Sequence, residues 1–138
     1  MTQRYVLDAW ALLALLQGEE PAAARVKQLL RDAPDGDVER FISIINLGEV
    51  VYRVGKVKGE AEAWKTLEQL RRLPLTILPA DEKAVFAAVR FKMQHAISYA
   101  DAFAVAAAEN MAALLVTGDP ELAHLKNDIQ IEMLERIT

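Results

Sequence analysis

Cysteine is absent from the chain. That excludes a disulfide framework, a thiolate metal site and a cysteine nucleophile, and it suits a reducing compartment. Histidine is scarce: only His95 and His124 occur. A lone histidine is more often a packing or surface residue than a ligand, so any metal chemistry falls to oxygen donors. No apolar run reaches the roughly 20 residues needed to span a bilayer. The opening MTQRYVLDAW lacks the basic region, apolar core and cleavage site of a secretory leader, so a cytoplasmic protein is expected. An excess of basic residues is missing too. Net charge is −4 and the pI about 5.2, whereas generic nucleic-acid binders usually have a basic surface. With no repeat, low-complexity segment or linker, residues 1–138 are expected to form a single domain.

Apolar residues, by contrast, are plentiful. They make up 53% of the chain, above the usual ~45–50%, and a chain of this length can bury a real core. Their spacing predicts strands at 5–7, 41–45, 75–78, 113–116 and 129–133. Helices are predicted at 9–16, from Pro21 to about Arg31, from Asn46 onward, at 60–73, from Asp81 to about Gln94, and from Ser98 onward. A turn is expected at 33–36 and a break between Gly55 and Gly59. Short strands that are apolar on both faces, alternating with helices, indicate an α/β sandwich on a parallel sheet.

Four acids fall at comparable places in this pattern. Asp8 directly follows the first strand, and Asp119 lies three residues after Val116. Glu49 and Asp101 lie in the first turns of predicted helices. Ligand sites of an open parallel sheet form outside the carboxyl ends of its strands, where the winding reverses. If the first and fourth strands are neighbours there, all four acids face one crevice. Each acid also has a simpler role open to it. Asp8 could cap the following helix, and Asp119 could cap one opening at Pro120. Glu49 could complete a capping box with Asn46, and Asp101 one with Ser98. Capping accounts for each singly, but not for four at one edge. Ala104, Val105 and Ala108 share the helical face of Asp101, which points that acid inward. Glu49 lies off the Leu47, Val50, Val54 stripe.

Crowded carboxylates are costly to bury without a cation. An all-oxygen donor set favours Mg²⁺ or Mn²⁺, and such ions assist attack on phosphate esters. One local region also carries positive charge. Arg53, Lys56, Lys58, Lys65, Arg71 and Arg72 outnumber Glu60, Glu62 and Glu68, as either a solvated helix pair or a phosphate-facing patch.

The order YVLDAWALLALL, SIINLGEVVYR, SYADAFAVAAAE, LLVTGDPEL resembles the PIN-domain ribonucleases, and among them the VapC-like toxins of type II toxin–antitoxin pairs. The resemblance spans nearly the whole chain. It implies a three-layer α/β/α sandwich with strand order 3-2-1-4-5. It places the family's acidic quartet on Asp8, Glu49, Asp101 and Asp119. It further implies an Mg²⁺- or Mn²⁺-dependent endoribonuclease acting on RNA, a cognate antitoxin as partner, and a homodimer. Thr117 matches a position near the metal, and Ser43 a frequent small polar position. Arg53, Lys56 and Lys58, just beyond Glu49, are candidates for gripping RNA phosphates. Trp10 departs from the small polar residue many members carry there, and suits core packing or an interface. Neither histidine falls in a family motif. Two rivals compete with this reading. One is a PIN fold without nuclease activity, serving as an interaction module. The other is a receiver-type phosphoacceptor domain, for which Pro79-Ala80-Asp81 is a poor phosphoacceptor match and no fitting lysine follows.

Overall fold

The computed structural model describes residues 2–32 and 36–137. Within them, β1 (Gln3–Leu7), β2 (Val38–Ser43), β3 (Thr76–Leu78), β4 (Leu114–Thr117) and β5 (Ile131–Met133) form one sheet. Every pairing is parallel and the order is β3-β2-β1-β4-β5. Parallel neighbours need crossovers. These run through α1 (Ala9–Gln17), α2 (Ala22–Lys27), α3 (Ile44–Lys58), α4 (Glu60–Arg71), α5 (Glu82–Gln94) and α6 (Tyr99–Asn110). A 3₁₀ helix, Pro120–Asn127, joins β4 to β5. The winding reverses between β1 and β4, as the strand order expected from the sequence requires. A receiver-type sheet runs in the order 2-1-3-4-5, so that rival does not fit.

Strand alternation separates the two cores. Val6, Phe41 and Leu115 face one side of the sheet and pack with Ala88, Phe91 and the α6 residues Ala102, Phe103 and Val105. Their neighbours Leu7, Ile42 and Val116 face the other side and pack with Leu12, Leu47 and Val50. Successive side chains point to opposite faces, and here both faces are covered. That explains strands apolar throughout rather than in alternation. The alanines of α6 suit the same arrangement, because their small side chains let that helix lie close to the central strands.

Several boundaries differ from the sequence reading. The second strand stops at Ser43, and Ile44 and Ile45 already belong to α3. The Ser43 hydroxyl accepts the Ile45 N–H at 3.2 Å, so it is Ser43 that caps α3. A hydroxyl cap overrides the β-branched preference of the two isoleucines. The expected capping box of Asn46 with Glu49 is therefore not formed. Asn46 lies inside α3, fully buried. No break occurs at Gly55; α3 continues to Lys58 and ends at Gly59, whose φ of +96° suits glycine. The predicted 21–31 helix is α-helical only to Lys27 and then widens into a π-helical turn, Gln28–Asp32. Most of the 33–36 turn lies outside the described residues. The caps at Asp8, Asp81, Ser98 and Asp119 stand where expected. Among the described residues no helix is long and apolar enough to cross a membrane.

Candidate active site

Asp8 is the innermost of the four acids. It leaves β1 at its carboxyl end and caps α1, its Oδ1 accepting the Ala11 N–H at 3.0 Å. Its own N–H donates to the Val116 carbonyl at 3.3 Å, which ties it to β4. Only 2% of it is exposed. Burial pushes its carboxyl up to about 7, and the charges of Asp101 and Asp119 push the same way. Hydrogen bonds from the Thr117 hydroxyl and the Ala11 N–H partly offset this.

Thr117 ends β4 and is fully buried. Its hydroxyl bonds the Asp8 carboxylate, and its Oγ1 accepts the Asp119 N–H at 3.1 Å. One side chain thus joins two of the acids. Asp119 caps the 3₁₀ helix, with Oδ1 accepting the Glu121 N–H at 2.9 Å. Asp101 is half-buried in the first turn of α6, with its N–H donated to the Ser98 Oγ at 3.0 Å. Burial raises its carboxyl too; the Ser98 hydrogen bond opposes that rise, and the charges of Asp119, Glu49 and Glu121 add to it. Glu49 reaches in from α3. Although off the apolar stripe, its side chain is only 16% exposed. Its Oε2 meets the Arg53 Nη2 at 3.2 Å.

The four acids line one small crevice of about 80 Å³ with Ala9, Trp10, Leu13 and Arg53. It lies outside the carboxyl ends of β1 and β4, at the switch point. The carboxylates share its wall without converging. As placed, no three acidic or histidine side chains among the described residues stand close enough to hold an ion. Two of the acids spend an oxygen on capping, and Glu49 is drawn to Arg53.

Other residues singled out in the sequence stand elsewhere. Ser43 caps α3 and is absent from the crevice lining. Lys56 and Lys58 line an adjoining groove with Leu13, Leu16, Tyr52 and Val57, and Arg53 borders both spaces. His95 and His124 pack against each other with ring centroids 5.7 Å apart, beside Asp128 and away from the crevice.

Two features escaped the sequence reading. Asn46 donates from Nδ2 to the Ala100 carbonyl at 3.0 Å, while its buried Oδ1 has no partner. It therefore ties the helix of Glu49 to the first turn of the helix of Asp101. Trp10 packs partly buried against the core, as expected, and also walls the crevice. Its ring lies against Gly118 and under the Arg136 guanidinium, 5.2 Å from the ring centroid. An asparagine three residues before a helical acid was the available sign of the first. A glycine beside Asp119 was the only sign of the second.

A doubly wound sheet with carboxylates gathered at its switch point defines an α/β protein of a recognisable class. The chain belongs to the PIN-domain family, whose profile matches residues 5–128. No protein of curated function matches it significantly. Its fold is similar to that in VapBC2 from Rickettsia felis bound to a promoter DNA fragment, at 19% identity and a TM-score of 0.73, covering 96% of this chain and 100% of that one. It is likewise similar to VapBC-1 from nontypeable Haemophilus influenzae, at 20% identity and a TM-score of 0.70, covering 95% and 98%. VapC20 of Mycobacterium tuberculosis, a sarcin-ricin loop cleaving toxin, is similar at 15% identity and a TM-score of 0.70, covering 87% and 93%.

Proposed function

We propose that this protein is a divalent-metal-dependent endoribonuclease, the toxin of a toxin–antitoxin pair. The observation that carries the reading is the shared crevice of Asp8, Glu49, Asp101 and Asp119. Its donor set fits a hard cation. All four are carboxylates, and Asp8 and Asp101 have their charged forms disfavoured by burial and by the charges of neighbouring acids. A divalent cation relieves that cost. Asp8, Asp101 and Asp119 would hold it, with Glu49 joining directly or through water. When bound, Mg²⁺ or Mn²⁺ supplies Lewis-acid activation of a phosphodiester and of the attacking water.

The chain's own residues do the rest. Thr117 orients the Asp8 carboxylate and the Asp119 backbone together. Ser98 and Ser43 hold the starts of α6 and α3. Arg53, Lys56 and Lys58 offer charge to RNA backbone phosphates along the groove next to the crevice. The substrate is RNA, the partner a cognate antitoxin protein, and the active form a homodimer. The antitoxin component of the Rickettsia and Haemophilus complexes supports that partner by analogy of fold. An apolar groove of about 450 Å³ between α3 and α4, lined by Leu47, Val51, Tyr52, Ala63, Trp64 and Leu67 among others, offers such a partner a seat.

The test is cleavage of RNA by the purified protein with Mn²⁺ or Mg²⁺ and with chelator. Metal-dependent cleavage that is lost in Asp101→Asn is expected. No cleavage of any RNA with either metal, together with binding of a partner protein, would leave the nuclease-inactive interaction module.

A further inference from the structure

Among the described residues that line the crevice, Arg53 is the only cation. It sits one turn beyond Glu49 on α3, with Nη2 3.2 Å from Oε2. The two partners differ in surroundings. Glu49 is held in the crevice wall with its side chain 16% exposed, while the Arg53 side chain is 54% exposed. The acid is the fixed partner and the guanidinium the one free to leave. Arg53 also borders the groove that carries Lys56 and Lys58, so it stands between the acids and the basic surface.

We propose that Arg53 is a built-in counter-ion that occupies Glu49 while no divalent cation is bound, and that cation binding displaces it toward the basic groove. The inference rests on reading the crevice as a divalent-cation site. A doubly charged ion among four carboxylates outcompetes one guanidinium in an i,i+4 pair whose basic partner is open to solvent, which is weak. Arg53 therefore lowers the affinity of the crevice for metal. Once released, it is a planar guanidinium suited to bidentate contact with a phosphate. Metal loading and phosphate gripping are then linked through one side chain.

The experiment is calorimetric titration of Mn²⁺ into chelator-treated, dialysed full-length protein: wild type, Arg53→Gln, Glu49→Gln and the double variant. Arg53→Gln is expected to bind Mn²⁺ about two- to fivefold more tightly than wild type, the size expected for losing one competing ion pair. In the Glu49→Gln background the same substitution is expected to change affinity less than about twofold, because the pair is already gone. Equal tightening in both backgrounds means that Arg53 acts by long-range charge alone and overturns the proposal, as does unchanged or weakened binding. Wild type that binds no Mn²⁺ overturns the metal reading and this inference with it. Displacement itself is read with diamagnetic Mg²⁺. The arginine side-chain N–H resonance missing from Arg53→Gln is expected to shift on Mg²⁺ addition in wild type and to stay in place in Glu49→Gln. A resonance that does not move in wild type overturns the displacement.

Discussion

The benzo edge of the Trp10 indole rests on Gly118 so closely that a β-carbon at residue 118 would stand 2.2 Å from the ring. No side chain other than hydrogen fits there, since the obstacle is a large ring held on its face by Arg136. Gly118 lies between Thr117 and Asp119, so this contact sets the crevice wall beside two of the candidate site residues. Gly118→Ala is expected to destabilise the protein by about 1–3 kcal/mol, the usual range for overpacking. In a Trp10→Ala background the same change is expected to cost well under half of that. Urea denaturation of the four proteins checks it; additive costs would show that the ring is not the obstacle.

Asp8→Asn and Asp101→Asn are each expected to abolish RNA cleavage and toxicity while the far-ultraviolet circular dichroism stays unchanged. Asparagine can still cap α1 at residue 8. Removing one charge from a crowded set is expected to preserve or raise the melting temperature in chelator. A fall worth about 1 kcal/mol or more would favour capping as the main role.

Stability without metal should depend on pH in a defined direction. The Asp8 carboxyl titrates near 7 in the folded chain, against an ordinary value of 3.8. Between those values the folded state holds a proton that the unfolded state has lost. Its stabilising contribution is full below the ordinary value and is lost as pH rises through about 7. Asp101 is shifted the same way. Chelator-treated protein is therefore expected to lose on the order of 2–4 kcal/mol between about pH 4 and pH 8, and Asp8→Asn is expected to remove most of that slope. Wild type and Asp8→Asn with the same slope would assign the dependence to other groups.

Thr117→Val keeps the shape of the side chain and removes the hydroxyl that joins Asp8 to Asp119. Because that hydrogen bond holds the Asp8 carboxyl down, its loss is expected to raise the Asp8 midpoint further, readable by carboxyl-carbon NMR titration. Stability is expected to fall by about 1–3 kcal/mol, since the Asp119 N–H loses its acceptor. An unmoved midpoint would remove Thr117 from the positioning of Asp8.

Asn46→Ala is expected to cost about 1–3 kcal/mol, and Asn46→Leu less, because leucine fills the space and removes the unpaired Oδ1 at the same time. Both variants lose the tie between α3 and the Ala100 carbonyl. Both are therefore expected to bind Mn²⁺ more weakly in calorimetric titration, since the helices of Glu49 and Asp101 are no longer held in register. Unchanged affinity in Asn46→Leu would make the residue a packing element only.

Much of this architecture was legible from local signals. A short apolar run followed by an acid, as at Leu7–Asp8, reports a strand and the edge at which it ends. Ser98 and Asp101, four residues long together with what lies between, report a helix start. Such signals depend on neighbours in the chain, so one sequence carries them. The strand at 41–45 was misread because Ile44 and Ile45 favour strands locally, while the cap at Ser43 and burial against the sheet decided otherwise.

By itself, the sequence determined the class of fold, the approximate elements and the edge on which Asp8, Glu49, Asp101 and Asp119 fall, because periodicity and capping are properties of residues a few positions apart. Only the tertiary structure decided that Arg53 meets Glu49 inside the crevice, that Trp10 needs a glycine at 118, that Thr117 joins two acids and that Asn46 spans to Ala100. Apart from Arg53 with Glu49 and Thr117 with Asp119, these contacts connect residues on different elements, far apart in the chain. All of them are set by the packing of helices on the sheet, where burial rather than propensity governs what each polar group meets.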